Sequence, residues 1–381
     1  MGPVAPAAFR GEYAERRPLL VGRDEPSRFA ALLSTEDVER MLCTTALRAP
    51  AFRLVKDGAQ IPVRAYTQDI PWQPSAFTGT AVVGRVAEEF ARGATLVLQA
   101  LHLHWLPAAR YCRALEQELG WPVQANAYHT PASAQGFGVH HDTHDVFVLQ
   151  LAGRKRWLVY EPVLELPLKD QRWSSELGDP GEPVEDVTLE AGDTLYLPRG
   201  WPHEAATAED ESLHLTVGLH PPTRLDALRA ALDSCADDVE FRRAADPGGV
   251  LPDDLLARLS TRLEPAAVVS RARRRFAASR RPILEDQLAQ VRGLDGLGVD
   301  DRLERRDTVI AHLQMADGRP ALVFEGKEVR FPAIAREAVE AAFAATEPFT
   351  AAGLPGDLDG ESRLVLVRRL VREGFLRATP R

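Results

Sequence analysis

Between residues 121 and 220 the chain breaks into short apolar runs separated by Gly, Pro and Asp. The runs are Val123–Tyr128, Val146–Leu151, Arg156–Tyr160, Val187–Leu189, Thr194–Leu197 and Leu213–Leu219. Each is rich in Val, Leu, Thr or aromatic residues. Several short strands with turn signals between them predict a sandwich or barrel of the jelly-roll kind. Pro221-Pro222 closes the region. Seven of the ten histidines fall inside it: His129, His140, His141, His144, His203, His214 and His220.

The flanks read differently. Residues 1–60 are expected to be helical with short breaks. Ser34-Thr35-Glu36-Asp37 caps an apolar stripe of Val38, Met41 and Leu42. Residues 61–80, rich in Pro, Gln and Thr, read as loop. Thr95–Ala100 reads as a buried strand, and 107–120 as a helix ending at Gly120 with Pro122 just beyond. After the β-rich region, Leu225, Leu228, Leu232, Leu255, Leu256, Leu259 and Leu263 recur at helical spacings. Residues 293–300 (GLDGLGVD) look like a linker. The last 80 residues predict strands at Thr308–Leu313, Ala321–Phe324 and Lys327–Phe331. Helices follow near Ala333–Ala345 and Glu361–Glu373, together a winged-helix-like module. The expected class is α+β, divided at 1–222, 223–298 and 299–381.

Charge and composition narrow the function. The 381 residues carry 46 basic and 55 acidic side chains, a net charge of −9, which argues against coating nucleic acid. Residues 301–381 hold 13 basic and 13 acidic side chains. A DNA-reading wing is usually basic, so specific DNA binding is not expected. Six arginines between Arg271 and Arg281 read as a solvated helix face, with a partner or RNA contact as the alternative. No window approaches the roughly 18 apolar residues of a membrane span. The first residues, MGPVAPAAFRGEYAERRP, lack the apolar stretch of a secretory signal. Cys43, Cys112 and Cys235 are scattered and form no CxxC pair, so neither a zinc knuckle nor a disulfide framework is expected. The cytoplasm is the expected compartment.

The histidines carry the chemistry. In Gly136-Phe-Gly-Val-His140-His141-Asp142, strand alternation puts His140 and Asp142 on one side and His141 on the other. A third ligand follows the strand Thr194–Leu197, at His203 in Leu197-Pro-Arg-Gly-Trp-Pro-His203. Two imidazoles and one carboxylate leave one face of an octahedral ion open, the donor set of non-haem Fe(II) oxygenases. Zinc more often takes a closed tetrahedral shell of nitrogen and sulfur. Such an iron needs a reductant, and 2-oxoglutarate supplies one while requiring a cation for its far carboxylate. Lys155, fifteen residues past His140 among buried-looking runs, is the best candidate, with Arg154 and Arg156 as rivals. His144 and Asp145 are candidates for contact with the substrate or the residues around the ligands.

The block NAYHTPASAQGFGVHHDTHDVFVLQLAGRKRWLVYEP, with LEAGDTLYLPRGWPHEA and SLHLTVG, resembles the ribosomal oxygenases, a family of JmjC-type 2-oxoglutarate and Fe(II) oxygenases of the cupin superfamily. ERRPLLV, VKDG at 55–58 and GATLVLQ at 93–99 extend the resemblance over most of the chain. It implies a double-stranded β-helix (jelly-roll) catalytic domain, a helical dimerisation segment and a C-terminal winged helix. It implies hydroxylation of a His or Arg side chain of a ribosomal protein by Fe(II), 2-oxoglutarate and O₂, and a homodimer without membrane attachment. Position by position, His140, Asp142 and His203 match the iron ligands. Lys155 matches the lysine that pairs the far carboxylate of 2-oxoglutarate. Asn126, Tyr128, Thr130 and His214 match residues of the co-substrate pocket. Gly218 departs from the serine of some relatives, with Thr216 as the alternative contact on that wall. Two other readings remain open at this stage: the same chemistry on a small peptide or metabolite, and a non-catalytic scaffold.

Overall fold

The chain folds as two units, Met1–Pro221 and Pro222–Arg381, and the computed structural model describes residues 3–245, 247–248 and 252–379. The strands of the first unit are β1 (Leu19–Val21), β2 (Phe52–Lys56), β3 (Ala59–Gln60), β4 (Thr67–Ile70), β5 (Phe77–Ala81), β6 (Thr95–Leu98), β7 (Val123–Thr130), β8 (Asp145–Gly153), β9 (Lys155–Val159), β10 (Glu185–Leu189), β11 (Thr194–Leu197), β12 (His203–Ala206) and β13 (Ser212–Leu219). Eight form an antiparallel sheet in the order β1-β11-β8-β13-β7-β6-β2-β3, and three form a smaller sheet, β10-β9-β12.

Alternation decides what each face of the large sheet meets. Leu213, Leu215, Val217 and Leu219 of β13, Ala125 and Ala127 of β7, and Phe147 and Leu149 of β8 share one core. The same core takes Val38 and Met41 from the helix Thr35–Thr44, Val86 from Val83–Ala91, and Ala108 and Cys112 from Leu106–Leu119. The intervening residues face the small sheet, where Val146 and Val148 pack with Trp157, Val159 and Leu189. Burying each large apolar side chain stabilises by roughly 1.5–3 kcal/mol, against about 1 for a net hydrogen bond, so the apolar face sets the register. In that register His214 lies opposite Tyr128 and Gln150, and Thr216 opposite Asn126 and Val148.

Local signals held where they were strong. Ser34 and Asp37 form a reciprocal capping box on Thr35–Thr44. The helix Leu106–Leu119 ends at Gly120 in the left-handed region, φ 71°. Two expectations for the first unit need correction. Residues 1–60 are not mainly helical, because β1 pairs with β11 and β2 enters the large sheet beside β6. Residues 61–80 are not simply loop, since β4 and β5 pair there, with the Asp69 carboxylate accepting from the Gly79 N–H at 2.8 Å.

The second unit begins with helices Arg224–Asp233, Asp253–Arg262, Pro265–Ala278 and Gln287–Arg292. Strands His312–Ala316, Arg319–Phe324 and Lys327–Arg330 form an antiparallel meander. A second small sheet sets Arg302–Arg305 between Phe349–Thr350 and Leu376–Ala378. Helices Arg336–Ala344 and Gly360–Arg372 pack on a core that includes Leu322, Phe324, Val339, Val367 and Leu370. The stretch 293–300 gives Leu294 and Leu297 to that core, so it is packed and not a free linker. In the arginine run, Arg274 pairs with Glu328 at 3.1 Å, Arg271 donates to the Arg262 carbonyl, and Arg280 lies over the Phe276 ring. No helix among the described residues is long and apolar enough to cross a membrane.

Candidate metal centre and its cavity

His140 and Asp142 lie between β7 and β8, in a segment that is irregular rather than a continuous strand. It runs antiparallel to β12, with bridges Gln135↔Ala206 and His140↔His203. The His140 N–H donates to the His203 carbonyl at 3.1 Å, and the His203 N–H donates to the His140 carbonyl at 2.8 Å. The Gly200 N–H adds a bond to the Asp142 carbonyl at 3.0 Å. Backbone pairing therefore brings together ligands some sixty residues apart. Ligand atoms of His140, Asp142 and His203 lie within 4.8 Å of one another.

Each imidazole is aimed by its own chain. Nδ1 of His140 lies 2.8 Å from the Gly138 carbonyl, and Nδ1 of His203 lies 3.0 Å from the Trp201 carbonyl. With Nδ1 as donor, Nε2 of each ring keeps the lone pair a metal needs. Burial pushes His203 down to about 4, the neutral ligand form. Burial pushes the Asp142 carboxyl up, but the surrounding His144, His203, His140 and His141 outweigh it and hold it below the usual range. Two imidazoles and one carboxylate suit a divalent cation with open positions.

A buried aspartate braces the second ligand loop. Asp145, fully buried, accepts from the Tyr196 hydroxyl at 2.6 Å and from the Arg199 N–H at 3.0 Å. Arg199 also pairs with Glu15 at 2.7 Å. Asp145 is thus a buried brace behind the ligands. His141 is turned away, its Nε2 3.1 Å from the Gln171 carbonyl. His144 stacks on His220 at 4.6 Å and lies against Gly218, where an added Cβ would come within 2.7 Å of its ring.

The ligands open into a cavity of about 220 Å³ between the sheets. Lys155, at the start of β9, lines it with only 5% of its surface exposed. Its Nζ donates to the Thr130 hydroxyl at 2.9 Å, and Thr130 in turn shares a hydrogen bond with Thr95. Among the described residues no carboxylate pairs with it, and burial lowers its pKa to about 7. Arg154 and Arg156 are committed on the surface, to Asp210 at 2.7 Å and Asp186 at 2.6 Å. His214 stacks flat on Tyr128 at 4.9 Å, beneath the edge of Trp157. Burial, with Lys155 adding to it, keeps His214 neutral, and its Nδ1 has no hydrogen-bond partner. Burial, with Asp142 adding to it, pushes the Tyr128 hydroxyl up to about 12. Thr216 lines the same wall.

Of the residues singled out from sequence, His140, Asp142, His203, Lys155, Tyr128 and His214 line this cavity, and Thr130 reaches it through Lys155. Asn126 does not line it; its side-chain carbonyl accepts from the Ala100 N–H at 2.9 Å. Sequence reasoning missed Arg53, Phe137 and Glu204. Arg53 sits in Phe52-Arg-Leu-Val-Lys, where alternation between buried Phe52 and Leu54 turns it to the opposite face.

Residues 100–227 match the JmjC domain, and these bounds enclose His140, Asp142, His203 and Lys155. The matched stretch is about a third of the chain. Similar proteins include ribosomal oxygenase 1 of Gallus gallus, 34% identical over 255 residues, 64% of this chain and 40% of that protein. The bifunctional lysine-specific demethylase and histidyl-hydroxylase NO66 of Drosophila persimilis is 30% identical over 221 residues, 58% of this chain and 31% of that protein. The chain thus spans less than half the length of these curated relatives. Among solved structures, the ribosomal oxygenase YcfD of Escherichia coli in complex with cobalt and 2-oxoglutarate shares the fold. The match covers 99% of each chain, with a TM-score of 0.56 and 20% identity. The matched residues supply β7 to β13 of the two sheets described above.

Proposed function

We propose that this protein is a 2-oxoglutarate- and Fe(II)-dependent protein hydroxylase that acts on a His or Arg side chain of a ribosomal protein. The observation that carries the reading is the sharing of one cavity by a two-histidine, one-carboxylate cluster and a buried lysine without a carboxylate partner among the described residues. A metal-chelating diacid satisfies both. Its oxo-acid end suits the open positions of the ion, and its far carboxylate suits Lys155. The names of the relatives support a ribosomal target.

His140, Asp142 and His203 would hold the iron. Bound with 2-oxoglutarate and O₂, Fe(II) supplies the oxidising power that puts one oxygen into a C–H bond of the target, with succinate and CO₂ as co-products. The chain's own work is positioning and exclusion of water. The Gly138 and Trp201 carbonyls fix the imidazole tautomers. Thr130 points the Lys155 ammonium, while Tyr128, Trp157 and neutral His214 wall the co-substrate with uncharged surface. Removing water there strengthens the pairing of Lys155 with a carboxylate.

We extend the reading to assembly and setting. In the helix Arg224–Asp233, Leu225, Leu228 and Leu232 leave 37%, 50% and 54% of their surface exposed, a stripe suited to pairing two copies through residues 223–298. Residues 299–381 are read as a winged-helix-like module, and the compartment as the cytoplasm. The deciding experiment is intact-mass spectrometry of ribosomal proteins from a host with and without this gene. One protein lighter by a single oxygen atom in the deletion strain supports the reading. Identical masses, with succinate still formed in vitro, reject the ribosomal target.

A further inference from the structure

The cavity contains a second cation that the proposed chemistry leaves unused. Arg53 projects from β2 onto the site face of the large sheet and lines the cavity with the metal ligands. Its guanidinium lies over the Phe137 ring, 5.3 Å from the centroid. Phe137 in turn lies 5.7 Å from the His140 ring and 5.9 Å from Tyr128. This placement is set by backbone: the Asp57 and Gly58 N–H groups donate to the Gln135 and Gly136 carbonyls at 3.0 and 2.8 Å. The segment carrying Phe137 is therefore fixed to the turn that follows β2.

Arg53 lacks an internal counter-ion. Its Nε is buried without a hydrogen-bond partner, and no carboxylate pairs with it among the described residues. Two acids line the cavity: Asp142 belongs to the candidate ligand set, and Glu204 is engaged elsewhere. It accepts from the Tyr160 hydroxyl at 2.8 Å and from the Gln135 side-chain amide at 2.9 Å. A guanidinium held in a cavity, stacked on a ring and unpaired, is prepared for an incoming planar anion. 2-Oxoglutarate does not need it: one carboxylate goes to the metal and the other to Lys155. Lys155 is held by Thr130 and acts on His214, whereas Arg53 is held against Phe137. The ring on which Arg53 lies belongs to Phe137, which precedes exposed Gly138 in the chain.

We propose that Arg53 receives a carboxylate carried by the molecule that is oxidised, a third carboxylate beyond the two of 2-oxoglutarate. This rests on the oxygenase reading above. It adds a selection rule: targets with an acidic group near the oxidised carbon are favoured over neutral ones. The group is either an acidic side chain of a polypeptide or a free α-carboxylate.

The test is binding, so it does not require turnover. The full chain is loaded with Mn(II) and 2-oxoglutarate under argon, and proton relaxation by the paramagnetic ion is measured on three small molecules. N-acetyl-aspartate N-methylamide carries a side-chain carboxylate, N-acetylalanine an α-carboxylate, and N-acetyl-asparagine N-methylamide neither. The expected result is enhancement for one or both acids, with the stronger naming the source, and roughly tenfold weaker binding of the neutral amide. Arg53→Gln should abolish the preference, and Arg53→Lys should keep part of it, since charge remains but the planar fork is lost. Both variants should unfold within a few degrees of the parent, because Arg53 makes no internal ion pair. Equal enhancement for the acid and the amide, or an unchanged preference in Arg53→Gln, overturns the proposal. Loss of 2-oxoglutarate's own enhancement in Arg53→Gln overturns it too, by making Arg53 a co-substrate residue. Absence of 2-oxoglutarate enhancement in the parent chain defeats the oxygenase reading and the proposal with it.

Discussion

His140 and His203 are held opposite each other by two reciprocal backbone hydrogen bonds, of 3.1 and 2.8 Å, and each ring leans on a carbonyl two residues earlier in its own chain. The candidate metal centre is therefore held by main chain, and its side chains are free to be replaced without loss of that frame. His140→Ala and His203→Ala are expected to keep the parent's thermal unfolding within a few degrees. Each should weaken Co(II) or Fe(II) binding by more than the roughly 10–100-fold seen when only an orienting group is lost. Metal titration followed by electronic absorption checks this; undiminished affinity in both variants would remove them from the ligand set.

Lys155 should couple co-substrate binding to pH. Burial holds its pKa at about 7, so at pH 8 the free site is mostly neutral there. A bound carboxylate favours the charged form and raises that pKa. Binding at pH 8 should then take up a substantial fraction of a proton, roughly one at most, and affinity should fall as pH rises above 7. Below 7 the lysine is already charged, and this dependence should flatten. Calorimetry at pH 6 and pH 8, in buffers of different ionisation enthalpy, reads the proton directly. Lys155→Ala should weaken binding and erase the uptake.

Thr130 steers that lysine through a 2.9 Å hydrogen bond. Thr130→Val keeps the shape and removes the acceptor, a loss of about 1 kcal/mol, or roughly fivefold in 2-oxoglutarate affinity. Thr130→Ser should recover most of it. Equal affinities for all three proteins would mean that packing alone places the ammonium.

Gly218 is small because His144 occupies the space beside it. A Cβ there would lie 2.7 Å from the imidazole and 3.1 Å from the Gln124 side chain. Gly218→Ser is expected to destabilise by about 1–3 kcal/mol, the usual cost of overpacking. Adding His144→Ala should recover much of the loss in chemical denaturation. A stable single variant would show that the His144–His220 stack swings aside freely.

The strands of the sandwich were legible because their information is local. Runs rich in Val, Leu, Thr and aromatic residues between turn signals mark Val123–Tyr128, Val146–Leu151 and Leu213–Leu219 without knowledge of their partners, and all lie within β7, β8 and β13. The ligand cluster was legible for a related reason: His140-x-Asp142 and the downstream His203 carry their spacing in the chain. What pairing over long range creates was not. Leu19–Val21 becomes a strand only because β11 offers it an edge. The hairpin of β4 and β5 has little apolar alternation and depends on Asp69 reaching Gly79. Asn126 has the right parity for the pocket but is drawn to the Ala100 N–H, a partner that no sequence interval announces. Arg53 was overlooked because its importance lies in what fails to pair with it.

The large sheet has a consequence for how such a protein can change. Its β7, β8 and β13 strands alternate residue by residue between a polar chamber and an oily backing, so each behaves like a reading frame. Inserting or deleting one residue in β13 would send His214 and Thr216 toward Phe147 and Leu149 and bring Leu213 and Leu215 to the cavity. Substitution at a fixed length is the change these strands tolerate. New targets are therefore expected to arise by lengthening or shortening a connecting segment that carries no ligand, such as 160–184, while the frame stays in phase.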